Sequence, residues 1–219
     1  MDEPSKNKKE KELSPDRQQK KQQGKEAGGV YEKSPAIPDI LIKPGDFGKN
    51  ISNSDILTGK AFKFGDDIST DLIAPGRYFH LRSNLGELAK HVLEDADPEF
   101  AKKVSEGDFV VGGRNFGLGS SREHAPTIMK LAGVGAVLAK SFARIFFRNS
   151  INIGLPILIC NTDKIDDGDR LQIDLRKGVV KDLSKNIELK FNPLPDVMIK
   201  ILSDGGLVEH ITKNKGFNL

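Results

Sequence analysis

The chain has 219 residues, of which 37% are apolar and 30% charged, and a formal net charge of +3, a length that suits one ordinary domain or one domain with appendages. No uncharged apolar run approaches the ~18–20 residues of a helical membrane span, and the lysines of the first part alternate with glutamates, so the small positive charge argues for a solvated tail rather than a nucleic-acid partner. A single cysteine, Cys160, excludes an intrachain disulfide and agrees with a cytoplasmic location.

The opening MDEPSKNKKEKELSPDRQQ has no apolar stretch behind a basic one, so no secretory signal is expected there. Residues 1–35 carry almost no large apolar side chains and are expected to form a disordered charged tail. Over 36–57 apolar residues are scattered among Pro38, Pro44, Gly45 and Gly48, which suggests an extended arm lying on something else. The folded domain is expected over 58–219, opening near Thr58.

Within it, Ala61, Phe62 and Phe64 predict a short strand that breaks into the acids Asp66 and Asp67 and ends at Pro75. Leu85, Leu88, Ala89 and Val92 fall at helical spacing, and Pro98 to Val104 suggests another short helix. FVVGG, 109–113, reads as a buried strand that runs into GRNFGLGSSREHA, after which Ala125, Ile128, Met129 and Ala132 share one helix face ending at Gly133. VGAVLA, SFARIFFRNSI and LPILIC then predict strand, helix, strand, and Cys160 at the end of that last run reads as a small core residue. This βαβαβ rhythm over 109–160 points to an α/β fold with largely parallel pairing. Beyond it, Leu171, Ile173 and Leu175 alternate, as do Ile187, Leu189 and Phe191, with Lys177-Gly178 between, which predicts a hairpin. Pro195 to Leu202 predicts a last short helix closed by Gly205 and Gly206.

The loop GRNFGLGSSREHA lies between a buried strand and a helix start, so its backbone N–H groups and the positive end of the helix dipole make an anion site. It fits neither nucleotide pattern: Arg122 stands where a dinucleotide fingerprint needs a third small residue, and no Lys-Ser/Thr pair follows. Nor is it the G-x-S-x-G elbow of a serine hydrolase, since the glycine after the serine is missing. Ser120 to Glu123 matches the S-x-x-E capping box, worth ~0.5–2 kcal/mol. Capping leaves Arg122, the Gly117 and Gly119 spacing and Asn115 unexplained. Chemically the loop offers a serine oxygen among N–H donors with an arginine at its mouth, an arrangement that stabilises an alkoxide base and grips a carboxylate through a planar fork. Arg144 and Arg148, four apart on one predicted helix face, add positive charge nearby.

Three stretches, FGDDISTDLIAPGRY, GRNFGLGSSREHAP and AKSFARIFFRNSINIGLP, occur in this order and together resemble the signatures of the aconitase swivel-domain family, in particular the separately encoded small subunits of 3-isopropylmalate dehydratase and homoaconitase. The resemblance spans about Lys60 to Leu207. It implies a swivelling β/β/α domain that closes over a large subunit carrying a [4Fe–4S] cluster, as a heterodimer or heterotetramer. The implied activity is that of a cytoplasmic hydro-lyase: dehydration and rehydration of a small 2-hydroxy dicarboxylic acid, most directly 2- and 3-isopropylmalate in leucine biosynthesis.

With one cysteine, this chain is expected to bind no cluster and no metal itself. On the family pattern Ser120 is the base that removes the proton alpha to a carboxylate, Ser121 and Arg122 bind substrate, Asp71 in STDLI is an acidic active-site residue that holds an arginine, and Arg82 in YFHLRS grips a substrate carboxylate. Arg144 joins the substrate-binding set. Family members often carry cysteine where Leu118 stands, a position that is no cluster ligand. His80-Leu81-Arg82-Ser83 matches neither the homoaconitase pattern nor the apolar variants common in isopropylmalate enzymes, so homoaconitase and 2,3-dimethylmalate dehydratase stay open as alternatives, together with a non-catalytic anion- or RNA-binding module.

Overall fold

The structure, a computed structural model, describes residues 55–216. The tail expected over 1–35 and the arm as far as residue 54 lie outside the described residues.

Strand β1 (Ile56–Lys63) opens the domain two residues before Thr58 and joins the two halves of a seven-stranded sheet. On one side it pairs in parallel with β2 (Phe109–Val111), which continues in parallel to β3 (Ala136–Ala139) and β4 (Ile157–Ile159). On the other it pairs antiparallel with β5 (Arg170–Asp174), followed by β6 (Val179–Asp182) and β7 (Ile187–Lys190). The sheet order is therefore β4-β3-β2-β1-β5-β6-β7. The expected α/β fold with a parallel unit over 109–160 is observed. The expected hairpin is a three-stranded meander: Lys177-Gly178 turns β5 into β6, and a second turn with Asn186 at φ +54° leads into β7.

Strand period divides the core in two. Phe62, Val110, Val137, Ala139 and Ile157 face the helices, whereas Ala61, Phe109, Val111, Ala136, Leu138 and Leu158 face the other way and pack with Leu171, Ile173 and Val180 of the antiparallel half. A bridge between Cys160 and Phe191, just past β4 and β7, brings the ends of the two edge strands together.

The helices are short. They are α1 (Thr70–Ile73), a 3-10 segment (Gly76–Ser83), α2 (Leu85–Ala89), α3 (Phe100–Lys103), α4 (His124–Leu131), α5 (Arg144–Asn152), α6 (Asp196–Ser203) and α7 (Leu207–Asn214). The helix expected to run to Val92 ends at Ala89, and the chain continues in turns. Gly133 closes α4 at φ +100°, the positive-φ position that favours glycine.

Candidate active site

The site is built where three loops at the ends of β1, β2 and β3 meet. After β1 the turn residues Asp66 and Asp67 clamp the second loop: Arg114 N–H donates to Asp66 Oδ1 at 2.6 Å, and Asn115 Nδ2 donates to Asp67 Oδ1 at 2.9 Å. Both Asp67 and Asn115 sit at left-handed φ, +58° and +57°, a conformation that Asn and Asp tolerate better than most side chains. Asn115, which capping left unexplained, is thus a structural pin.

From there the glycine loop runs beside the entry to α1, its Gly117 N–H donating to Ile68 O at 2.7 Å and its Leu118 carbonyl accepting from Thr70 N–H at 2.8 Å. On the other flank Phe116 N–H donates to Ser141 O at 3.0 Å and Ala143 N–H to Phe116 O at 2.9 Å, which ties the loop to the segment opening α5. Glycine is required twice. Gly117 has φ +77°, and a Cβ there would stand 2.2 Å from the Phe146 ring; Gly119 has φ +105°, with Thr70 Oγ1 at 3.2 Å.

Ser120 and Ser121 are exposed at the crest of this loop. The Ser120 carbonyl is fixed from two sides, accepting from Thr70 Oγ1 at 3.1 Å and from Arg122 N–H at 2.7 Å. Its hydroxyl engages nothing among the described residues. The capping box does not form: α4 starts at His124 behind Glu123, with no side-chain cap, and the Glu123 carbonyl accepts from Thr127 Oγ1 at 3.0 Å instead. The two bonds to the Ser120 carbonyl commit that residue to the loop, and Ser120 Oγ takes no hydrogen bond from Glu123 N–H. The N–H groups of Gly119, Ser120 and Ser121 also find no acceptor among the described residues.

Arg122, by contrast, is held. Its Nη1 donates to the Ala74 carbonyl at 2.8 Å and its Nη2 pairs with Asp71 Oδ1, which places the predicted acid and the predicted arginine in one ion pair. Two of the five guanidinium N–H donors are used and three remain. Arg82 projects from the 3-10 segment, its guanidinium 4.4 Å above the Phe79 ring. Phe79 meets the His124 ring edge-on at 6.1 Å. Burial and the nearby guanidiniums of Arg122 and Arg82 hold the half-buried His124 imidazole below its usual pKa, so these groups form one cluster. Arg144 and Arg148 are exposed on α5 and make no ion pair among the described residues. The sequence reading missed Asp66, Asp67, Thr70 and Ser141 as the scaffold, and Phe79 and His124 as neighbours of Arg82. The acids were visible as a polar turn, but nothing in their spacing showed which loop they clamp.

The described residues contain no group of three or more His, Cys, Asp or Glu side chains able to hold a metal ion. Cys160 is buried and its thiol is pushed up to about 11 by that burial. A single inert thiol does not fit an iron–sulfur cluster, which takes three or four thiolates. Among the described helices none is long and apolar enough to cross a membrane.

Residues 79–162 match the model of the aconitase C-terminal domain. The chain is 64% identical over 158 residues to 3-isopropylmalate dehydratase small subunit 2 of Archaeoglobus fulgidus, covering 72% of this chain and 96% of that one. It is 54% identical over 158 residues to the methanogen homoaconitase small subunit of Methanothermobacter thermautotrophicus, covering 72% and 92%. Among solved structures, 3-isopropylmalate dehydratase of Methanocaldococcus jannaschii superposes with a TM-score of 0.69 at 50% identity, over 73% of this chain and 95% of that one.

Proposed function

Because the chain belongs to the family of 3-isopropylmalate dehydratase small subunits, we propose that it is the small subunit of an aconitase-type hydro-lyase that interconverts 2- and 3-isopropylmalate by dehydration and rehydration. The observation that carries the mechanism is the Ser120 hydroxyl, which has no partner among the described residues, on a loop whose Gly119 and Ser121 N–H groups likewise have none there and whose Arg122 is anchored by Asp71. A serine is a base only as an alkoxide, and N–H donors aimed at the oxygen, with a cation beside them, lower the cost of forming it. Ser120 then takes the proton from the carbon alpha to a substrate carboxylate. Arg122 uses its remaining donors to hold that carboxylate, Ser121 adds a hydroxyl, and Asp71 keeps the guanidinium from swinging with its ligand. Arg82 and Arg144 supply the further positive charge that a dicarboxylate requires.

Ser120, Ser121 and Arg144 are exposed, whereas proton abstraction of this kind works in a site closed to water. A large subunit is the wall this open loop lacks, and its [4Fe–4S] cluster would accept the leaving hydroxyl, a task for which this chain has no ligands. The exposed cation at Arg82 favours a second substrate, the homoaconitase type, whose distal carboxylate it would pair with.

The test is reconstitution: the full chain and a cluster-bearing large subunit are combined anaerobically and assayed with 3-isopropylmalate, and in parallel with homocitrate. Turnover of isopropylmalate is expected to exceed that of homocitrate. Ser120→Ala is expected to lower kcat by roughly 10²–10⁴-fold without changing the unfolding temperature. Undiminished turnover by that variant would overturn the mechanism.

A further inference from the structure

We propose that Phe79 and His124 are positioning residues that hold the Arg82 guanidinium in place relative to the start of α4, through a stack that runs Arg82, Phe79, His124. The proposal rests on the reading of Arg82 as a substrate-binding residue.

The 3-10 segment of Gly76–Ser83 has no buried residue, and only Tyr78 and Leu81 pack against the helical core, so polar and ring contacts carry much of its placement. Its first half is clasped. Arg77 pairs with Glu94 at 2.9 Å and with Asp95, Tyr78 Oη donates to Glu94 at 3.0 Å, and the Tyr78 ring stacks on His91 at 3.8 Å. Leu81 reaches the edge of the helical core. Arg82 itself has no ion pair among the described residues, and its guanidinium lies over the Phe79 face at 4.4 Å.

Phe79 is the unusual member. It is 45% exposed and does not belong to either core cluster, although its neighbours Tyr78 and Leu81 both reach one. An aromatic ring that gains so little by burial, yet lies between a guanidinium and an imidazole, is explained by those two contacts. A cation over a ring face is attracted by the ring quadrupole, and the ring edge is attracted by a second aromatic face. His124 supplies that second ring from a fixed point: it is the first residue of α4, two positions after Arg122 and four after Ser120. The stack therefore connects a surface segment to the loop that carries the proposed base. Holding His124 toward its neutral form fits this role, because no third positive charge then stands between Arg82 and Arg122.

The experiment uses the reconstituted complex with 3-isopropylmalate and compares Arg82→Ala, Phe79→Leu, Phe79→Trp, His124→Gln and the double variant Arg82→Ala/Phe79→Leu, each first checked for an unchanged unfolding temperature. Expected results are a raised KM for Arg82→Ala, a rise of roughly 3- to 30-fold for Phe79→Leu, a smaller one for His124→Gln, kcat changed less than KM in each, and near-normal KM for Phe79→Trp, which keeps a ring. The double variant should be no worse than Arg82→Ala alone, since Phe79 acts through Arg82. In the full chain by NMR, the Arg82 side-chain protons should show a ring-current shift that Phe79→Leu abolishes. A normal KM for Phe79→Leu beside a raised one for Arg82→Ala overturns the positioning role and leaves the Arg82 reading intact. A normal KM for Arg82→Ala overturns both. A loss in Phe79→Leu confined to kcat, or additive with Arg82→Ala, assigns Phe79 a structural role and also overturns the proposal.

Discussion

Arg122 owes its place to two acceptors that the sequence separates from it by about fifty positions, the Asp71 carboxylate and the Ala74 carbonyl. The carboxylate is the replaceable one, because it lies at the start of α1 with more than half of its side chain exposed. Removing its charge while keeping its shape should therefore damage substrate binding more than folding. Asp71→Asn is expected to lower kcat/KM by roughly 10- to 100-fold, the scale of one hydrogen bond to a charged group at ~1.5–3 kcal/mol, while the unfolding temperature moves little. Steady-state kinetics of the complex beside thermal melts of the chain check this. An equal loss of activity and stability would show that Asp71 holds the loop rather than the arginine. Cys160 gives a second residue-scale prediction. Its thiol is buried and pushed up to about 11, and the thiolate is the reactive form. At pH 8 the native chain should resist iodoacetamide, and labelling should appear only once denaturant unfolds it, as followed by mass spectrometry.

At the scale of elements, the loops between strands and helices fix the site, and glycine geometry makes that testable. Gly117→Ala would force a side chain into φ +77° and against the Phe146 ring, so the loop must move or the helix α5 must. A destabilisation of about 1–3 kcal/mol is expected from the backbone alone, with activity falling further than stability because Ser120 lies three residues on. Lys130 ties elements together from the other side of α4, its Nζ donating to Ile153 O at 2.6 Å and Gly205 O at 3.0 Å. Burial lowers its pKa from the usual 10.5 to about 8. Between those values the unfolded chain binds more protons than the folded one, so this lysine makes stability rise with pH across that window. Urea unfolding of the chain and of Lys130→Met at pH 7.5, 9 and 10 should show a stability difference that shifts in favour of the lysine form as pH increases. The elements legible in the sequence were those with a strong local signal: β2, β3 and β4 as apolar runs, α4 from its apolar face, and α6 from the proline before it and the glycines after it. β6 was missed because Val179-Val180-Lys181-Asp182 offers only four residues behind a Lys-Gly turn, too few for alternation to stand out. α7 was missed because its first residue, Leu207, follows two glycines, Gly205 and Gly206, that read as an end rather than a junction. The capping box matched by spacing and failed in structure, since local pattern says nothing of Thr70, whose hydroxyl holds the Ser120 carbonyl from fifty residues away.

In the molecule as a whole, β1 joins a parallel half, which carries the site loops at its strand ends, to an antiparallel half that covers the other face of the same sheet. Everything the proposed chemistry uses lies between Asp66 and Arg148, and the relatives' full lengths are matched by under three quarters of this chain, 72% against 96% of the Archaeoglobus protein. A stretch of 158 residues thus spans nearly the whole of that relative, and the residues of the proposed site all lie after residue 54. The natural cut is before Asp55, which must be kept because its carbonyl accepts from Leu175 N–H at 2.9 Å and its carboxylate pairs with Arg176, joining β1 to the end of β5. A chain lacking residues 1–54 is expected to melt at the same temperature as the full chain and, with the large subunit, to turn over 3-isopropylmalate with unchanged kcat and KM. A cut after Asp55, which loses that carbonyl and carboxylate, should lower the melting temperature measurably. If the shorter truncation already abolished turnover while the melt stayed constant, the segment would have a role in joining the large subunit, and a titration of complex formation at fixed large-subunit concentration would then separate weakened assembly from impaired chemistry.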